Sequence, residues 1–379
     1  MNTIFSSLQK PGSWQQAQSP PKSIIKKSCL YTLKSKTALE KANFIMTKSS
    51  LYSLDNNGAP THKLSLKWKT FEPFYEEDGL EERFGFQILS SESSMDFYTE
   101  SQDALEEWLE ALAKVCICKD FEDDFLLLKQ LGIGGSSVVY LAKSTQNLNH
   151  YSVKSFFKTR NRLEELAREI TILKSLDNPN VVKLHRVYET RNHIHMVMDY
   201  VSKTDLYKLV VHHGKLPEEQ VARLIKECLR TISYIHSKGV IHRDIKLENV
   251  LLEESKLKLI DFGMSAFETD CFKLCGSPGY IAPEILAGKP YGPKADIFST
   301  GVVVYALLSG VMPFCGSSEA EVMLKNKECR VEFLHENWVG VSQEAKDLVT
   351  QLTKSDSDER ASAEEALLHP WFSEMLKSD

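Results

Sequence analysis

The stretch "VIHRDIKLENVLL", residues 240–252, constrains this chain more than any other. It sets a carboxylate, Asp244, and a carboxamide, Asn249, five residues apart in a loop, and "KLIDFGMS" adds Asp261 just after a β-type run. Phosphoryl transfer needs a carboxylate to orient or accept a hydroxyl proton, and oxygen ligands for Mg2+ beside nucleotide phosphates. Those residue types are present in that order, so the expected fold is one that gathers them.

Upstream, "LLLKQLGIGGSSVVYLAKS" places Gly132, Gly134 and Gly135 between two β-type runs, where backbone N–H groups can approach phosphates with no Cβ in the way. Glycines between strands also make ordinary hairpins, and Ser137 stands where a third glycine of G-x-G-x-x-G would be. In "YSVKSF", Lys154 lies in a strand of apolar or small residues and needs an anion if buried. Glu169 in "RLEELAREITILKSL" offers one, on the helix face that carries Leu166 and Leu173. A surface lysine and a solvated glutamate would explain either residue alone.

With 379 residues, two domains are the natural expectation, and a net charge of −6 gives no overall attraction to nucleic acid. The eight cysteines lack the paired C-x-x-C spacing of a zinc site and fit reduced thiols in the cytoplasm. The opening "MNTIFSSLQKPGSW" has no basic flank followed by an apolar core, so no signal peptide is expected. The longest apolar run, "GVVVYALLSGVMPF", is short for a membrane span and reads as a buried helix.

Residues 1–22 are rich in Ser, Gln and Pro and read as a disordered tail. From Ser28 to Thr99 short β-type runs recur ("SCLYTL", "NFIM", "SLYSL", "HKLSLKW", "FGFQIL", "DFYTE"), with "DNNG" at 55–58 as a hairpin turn. Then "SQDALEEWLEALAKVC" puts Leu105, Trp108, Leu109, Leu112 and Val115 on one helical face. Strands closed by one amphipathic helix with a tryptophan resemble a pleckstrin-homology domain over residues 23–117. Residues 21–48 hold seven lysines (Lys22, Lys26, Lys27, Lys34, Lys36, Lys41, Lys48) against Glu40 alone. In that family this end of the sandwich meets inositol phosphates. The resemblance thus implies docking to a phosphoinositide, a generally anionic membrane or a protein partner, each lysine near such a surface contributing about 1 kcal/mol.

After a connector at 118–124, the ordered set of glycine loop, Lys154, "HRDIKLEN", "DFG", "APE" and "DIFSTG" resembles a eukaryotic protein kinase domain over residues 125–372, followed by a tail at 373–379. The whole is then an α+β chain: a pleckstrin-homology β-sandwich with C-terminal helix, followed by a bilobal protein kinase fold. The resemblance implies ATP and Mg2+ as cofactors and protein substrates, and it leads us to expect a cytoplasmic monomer recruited peripherally to membrane. It implies that Leu131, Gly132, Gly134, Gly135 and Val139 cover the nucleotide, and that Lys154 holds its phosphates and pairs with Glu169. Asp199 and Val201 would offer hinge backbone to adenine, with Met198 flanking it, and Asp205 would lie near ribose and substrate. Asp244 would be the base, Lys246 would meet the γ-phosphate, and Asn249 and Asp261 would hold Mg2+.

"HRDIKLEN" resembles the serine/threonine type, Met264 after "DFG" leans the acceptor toward serine, and Arg360 would pair with Glu284. "CGSPGYIAPEIL", "YALLSGVMPF" and "RASAEEALLHPWF" resemble the calcium/calmodulin-dependent group, although seven residues after Phe372 leave no room for its autoinhibitory helix. In many relatives a phosphorylated residue at the place of Lys273 neutralises the arginine beside the base, here Arg243. Lysine puts like charge there, so either a nearby hydroxyl such as Thr269 supplies the phosphate, or the loop is expected to hold its active shape without one, with control exerted by residues 23–117.

Overall fold

The computed structural model describes residues 5, 13–17, 21, 23–33, 39–78, 81–90, 93–135, 137–159, 162–201, 204–253, 256–270, 273–333 and 336–376. The chain forms two compact units, residues 1–163 with 184–200 and residues 164–183 with 201–379.

In the first unit, β1 (Gln15–Gln16), β2 (Ile24–Leu33), β3 (Leu39–Thr47), β4 (Ser50–Leu54), β5 (Pro60–Ser65), β6 (Thr70–Asp78), β7 (Glu81–Leu89) and β8 (Ser94–Thr99) form one antiparallel sheet. Its order is β1-β5-β4-β3-β2-β8-β7-β6, two meanders joined where Tyr31 pairs with Tyr98. At the "DNNG" turn the Asp55 carboxylate accepts the Asn57 and Ala59 amides (2.9 and 2.8 Å) and Gly58 takes φ +80°. Helix α1 (Gln102–Ala113) starts at Ser101, whose hydroxyl accepts the Ala104 amide at 3.1 Å. Its Leu105, Trp108 and Leu112 are buried with Leu30, Phe44, Phe86 and Phe97.

One expectation fails here, and one strand is added. Residues 13–17 are not a structureless tail: Gln15 and Gln16 pair with Lys63 and His62, and the Trp14 ring lies 6.0 Å from Phe44 and 6.4 Å from Phe97. One large apolar ring outweighs the polar composition around it. Strand β6, "TFEPFYEED", is acidic and absent from the β-type runs read from sequence. It is the sheet's edge, where Pro73 removes no required bond and carboxylates face water. Lys22, Lys34 and Lys36 lie outside the described residues, whereas Lys26 is paired with Glu107 at 2.6 Å and Lys41 with Glu100 at 3.7 Å.

Residues 118–124 are more than a connector. The Ile117 amide donates to Lys69 O (2.8 Å), the Cys118 amide to Val187 O (2.8 Å), and Cys118 O accepts the Glu189 amide (2.9 Å). A short helix α2 (Phe121–Asp124) then leads into a second sheet of β9 (Phe125–Ile133), β10 (Ser137–Ser144), β11 (His150–Phe157), β12 (Leu184–Glu189) and β13 (His193–Asp199), ordered β12-β13-β11-β10-β9. Ala113 of α1 shares one apolar cluster with Cys118, Phe121, Phe125, Tyr188 and Val197. The two sheets of this unit are therefore joined by backbone bonds and a common core.

The second unit holds α3 (Leu163–Ser175), β14 (Thr204–Asp205), α4 (Leu206–His213), α5 (Glu218–Ser237), β15 (Val240–Ile241), β16 (Val250–Glu253), β17 (Lys256–Leu259), β18 (Ala266–Phe267), α6 (Pro283–Leu286) and α7 (Lys294–Ser309), with further short helices beyond. After Lys294, every residue of α7 is buried, as expected of a helix apolar all round. Arg360 and Glu284 form the expected pair, two parallel bonds of 2.8 and 2.9 Å, both side chains being buried.

Candidate active site

In the second unit, β15 and β16 flank the loop that carries Asp244, and the geometry of that loop starts from Asp296. This carboxylate is fully buried in α7 and accepts the His242 amide (2.8 Å), the Arg243 amide (2.8 Å) and His236 Nε2 (2.9 Å). Burial alone would raise its pKa, but the His236 bond and the backbone donor hold it below the usual carboxylate range. Arg243, held this way, has φ +66°. His242 Nε2 donates to Ile260 O (3.0 Å), its Nδ1 accepts the Asp244 amide (3.3 Å), and its ring meets the buried Phe262 edge-on at 4.7 Å. One neutral tautomer satisfies both bonds.

Three side chains converge on Asp244. Lys246 Nζ lies 2.8 Å from Oδ2, Asn249 Nδ2 donates to the same oxygen (2.9 Å) and to Asp244 O (2.8 Å), and Ser277 Oγ donates to Oδ1 (2.8 Å). Lys246 Nζ also donates to Ser277 Oγ at 2.7 Å. Asn249 thus spends its amide nitrogen on Asp244, which leaves Oδ1 as its remaining polar atom. Asp261 is close in the chain pairing: Val250 faces Leu259 across β16 and β17, and the Ile260 amide donates to Asn249 O (2.9 Å). Asp261 itself has φ +58°, is exposed, and accepts the Gly263 amide at 3.3 Å. An amide oxygen and a carboxylate are hard donors of the kind Mg2+ takes, so the residues fit that ion with nucleotide phosphates completing its shell.

The other expected residues fall as follows. In the first unit, Gly132 pairs with Val139 across β9 and β10, and the Gly134 amide donates to Ser137 O (2.8 Å), closing the loop tip. A Cβ built on Gly132 or Gly135 would meet nothing within 4 Å, so the space beside these backbones is open to a ligand. Leu131 is exposed, while Lys154 is buried in β11 opposite Met196. The Asp199 carbonyl accepts Ser152 Oγ (2.7 Å), and its carboxylate accepts His185 Nε2 (2.7 Å). In the second unit, Glu169 is buried on α3, and Val201 begins the segment into β14. Asp205 caps α4, its Oδ1 accepting the Lys208 amide (2.7 Å) and its Oδ2 lying 2.8 Å from Lys208 Nζ.

Residues 125–372 match the model of the protein kinase domain family. The chain is 36% identical over 261 residues to calcium/calmodulin-dependent protein kinase type 1 of Macrobrachium nipponense, covering 66% of this chain and 76% of that protein. To the protein of the same name in Caenorhabditis elegans it is 36% identical over 252 residues, 64% and 72% of the two chains. To a probable serine/threonine-protein kinase 2 of Plasmodium falciparum it is 33% identical over 258 residues, 66% of this chain and 51% of that one.

The chain belongs to the protein kinase family. It is a serine/threonine protein kinase. Two residues of this kinase's site were missed from sequence. Ser277 sits inside "CGSPGY", and nothing local indicates that its hydroxyl bridges Asp244 and Lys246. Asp296 lies 52 residues beyond Asp244, and only the fold reveals that its carboxylate supports the loop.

Proposed function

We propose that this kinase phosphorylates serine, in preference to threonine, in protein substrates, with Asp244 as the catalytic base and ATP with Mg2+ as its cofactors. The convergence of Lys246, Asn249 and Ser277 on the Asp244 carboxylate supports this reading most directly. Bound Mg-ATP supplies a γ-phosphoryl group whose charge the metal offsets. Asn249 and Asp261 would hold the ion. Lys154 would hold the phosphates, and Leu131, Gly132, Gly134, Gly135 and Val139 would cover the nucleotide. The hinge backbone at Asp199 and Val201 would receive the adenine, and Asp205 would lie near the ribose, in a kinase domain of the bilobal type over residues 125–372.

Asp244 orients the substrate hydroxyl and takes its proton, while its three donors fix the carboxylate's rotation. Lys246 stands beside Asp244 Oδ2, from where it would meet the γ-phosphate and neutralise charge there. Asp244→Asn and Lys154→Met should each lower peptide phosphorylation by at least about 10²-fold without changing the thermal melt. Near-normal turnover in either variant overturns the assignment. A matched threonine peptide turned over faster than the serine one removes the preference.

We read the N-terminal sheet and α1 as a pleckstrin-homology fold that docks this cytoplasmic, monomeric kinase on an anionic membrane surface. The order β5-β4-β3-β2-β8-β7-β6 and the wholly buried Trp108 support the fold. The lysine-rich 21–48 stretch supports the docking, weakened by the pairing of Lys26 and Lys41. Any restraint this body places on the kinase would pass through residues 117–125 rather than through detachment, because they are bonded into both sheets. Co-sedimentation with phosphatidylserine vesicles should be salt-sensitive, and equal recovery with neutral vesicles argues against membrane docking.

A further inference from the structure

Arg243 stands next to the proposed base, and its side chain reaches away from Asp244. Its Nε donates to Met264 O (2.6 Å), and its NH1 donates to the Tyr291 hydroxyl (3.1 Å). That hydroxyl in turn donates to Lys273 O (2.8 Å) and lies 3.3 Å from Cys275 Sγ. The Tyr291 ring packs on Ile241 and Ala266, which face each other across β15 and β18. One phenol therefore touches the strand before the catalytic loop, the strand after Asp261, the arginine of the loop, and the backbone at position 273. Burial and the Cys275 contact push its pKa up, so it remains a neutral hydroxyl that can donate and accept at once.

We propose that Tyr291 is a positioning residue that acts through Arg243 and does the work a loop phosphate would otherwise do. Arg243 needs an acceptor to fix its guanidinium, and a lysine side chain at 273 cannot be one. The Tyr291 oxygen accepts from Arg243 and passes the link to the carbonyl of Lys273, so a residue of any side chain could stand there. The Lys273 side chain is exposed, consistent with a position used for its backbone. This inference rests on the reading of Asp244 as the base.

Tyr291→Phe removes one oxygen and keeps the ring packing. In the full chain after phosphatase treatment, kcat should fall about tenfold, the scale of one hydrogen bond to a charged group, with the KM for ATP and the thermal melt unchanged. In an Arg243→Ala background, the same substitution should cost less than about twofold, because the group it acts through is gone. An unchanged kcat in Tyr291→Phe overturns the proposal, and so does the full loss persisting beside Arg243→Ala. A wild-type chain without turnover overturns the proposed function and this inference together. An active wild type indifferent to Tyr291→Phe overturns only the inference.

Discussion

Replacing Phe121 by alanine tests whether the N-terminal body and the β9–β13 sheet share one core. Phe121 is 2% exposed, stacks on His195 (ring centroids 4.3 Å apart) and on Phe125 (5.7 Å), and meets Tyr188 edge-on at 5.4 Å. Truncating a buried phenylalanine costs about 3–5 kcal/mol, depending on how far the surroundings collapse into the gap. Here they can collapse: Phe121, Phe125 and His195 line a groove of about 630 Å³ on the outer face of the sheet. The low end, about 3 kcal/mol, is therefore expected, or about 6–12 °C in the melting of a unit of this size. Scanning calorimetry of the full chain measures it, with the exposed Ile133→Ala as a control expected to stay within about 0.5 kcal/mol. Cleavage by a protease within 117–125 should quicken in parallel, because α2 and the bonds of Cys118 would open more often. A shift below about 2 °C with unchanged cleavage would mean that the segment is a tether after all, and the shared core would contribute nothing.

His195 is buried, with Nδ1 bonded to Ser155 Oγ, and burial, aided by His193, lowers its pKa to about 4. Since the unfolded chain takes up this proton near pH 6.5, stability should be lost as pH falls from about 6.5 toward 4. His195→Gln should flatten that part of the profile; an unaltered pH dependence of melting rejects the assignment. Glu284→Gln leaves the buried Arg360 charge without its anion and should cost about 3–5 kcal/mol, read by urea denaturation. A loss under about 1 kcal/mol would show that Lys294 O and Ser355 O suffice for the guanidinium.

The cluster around Asp244 was legible because the chemistry proposed for it depends on residue types at short spacing. Asp244, Lys246 and Asn249 fall within six residues, and a loop that short must keep them together. The helix of α1 was legible for a related reason, its apolar stripe recurring at the helical period around Trp108. Ser277 and Asp296 were not, because a serine and an aspartate carry no local sign of a partner 33 or 53 residues away. Strand β6 was hidden by its edge position, where the alternation of a half-buried strand is not required. Trp14 was hidden by the polar company it keeps.

Lys273 shows where reading side chains alone goes astray. Its ammonium invites an argument about repulsion from Arg243, yet the atom engaged is its carbonyl oxygen, which every residue type possesses. A similar logic governs Arg243, whose left-handed backbone costs on the order of 1–3 kcal/mol for a residue with a Cβ. Two amide donors on one ionised, buried carboxylate contribute about 1.5–3 kcal/mol each, enough to offset that strain. The strained turn then aims Asp244 toward Lys246 and Ser277 on one side while sending the Arg243 side chain toward Tyr291 on the other. The proposed base and its support diverge from a single peptide unit, so on this proposal the orientation of Asp244 depends on contacts made by the neighbour it points away from.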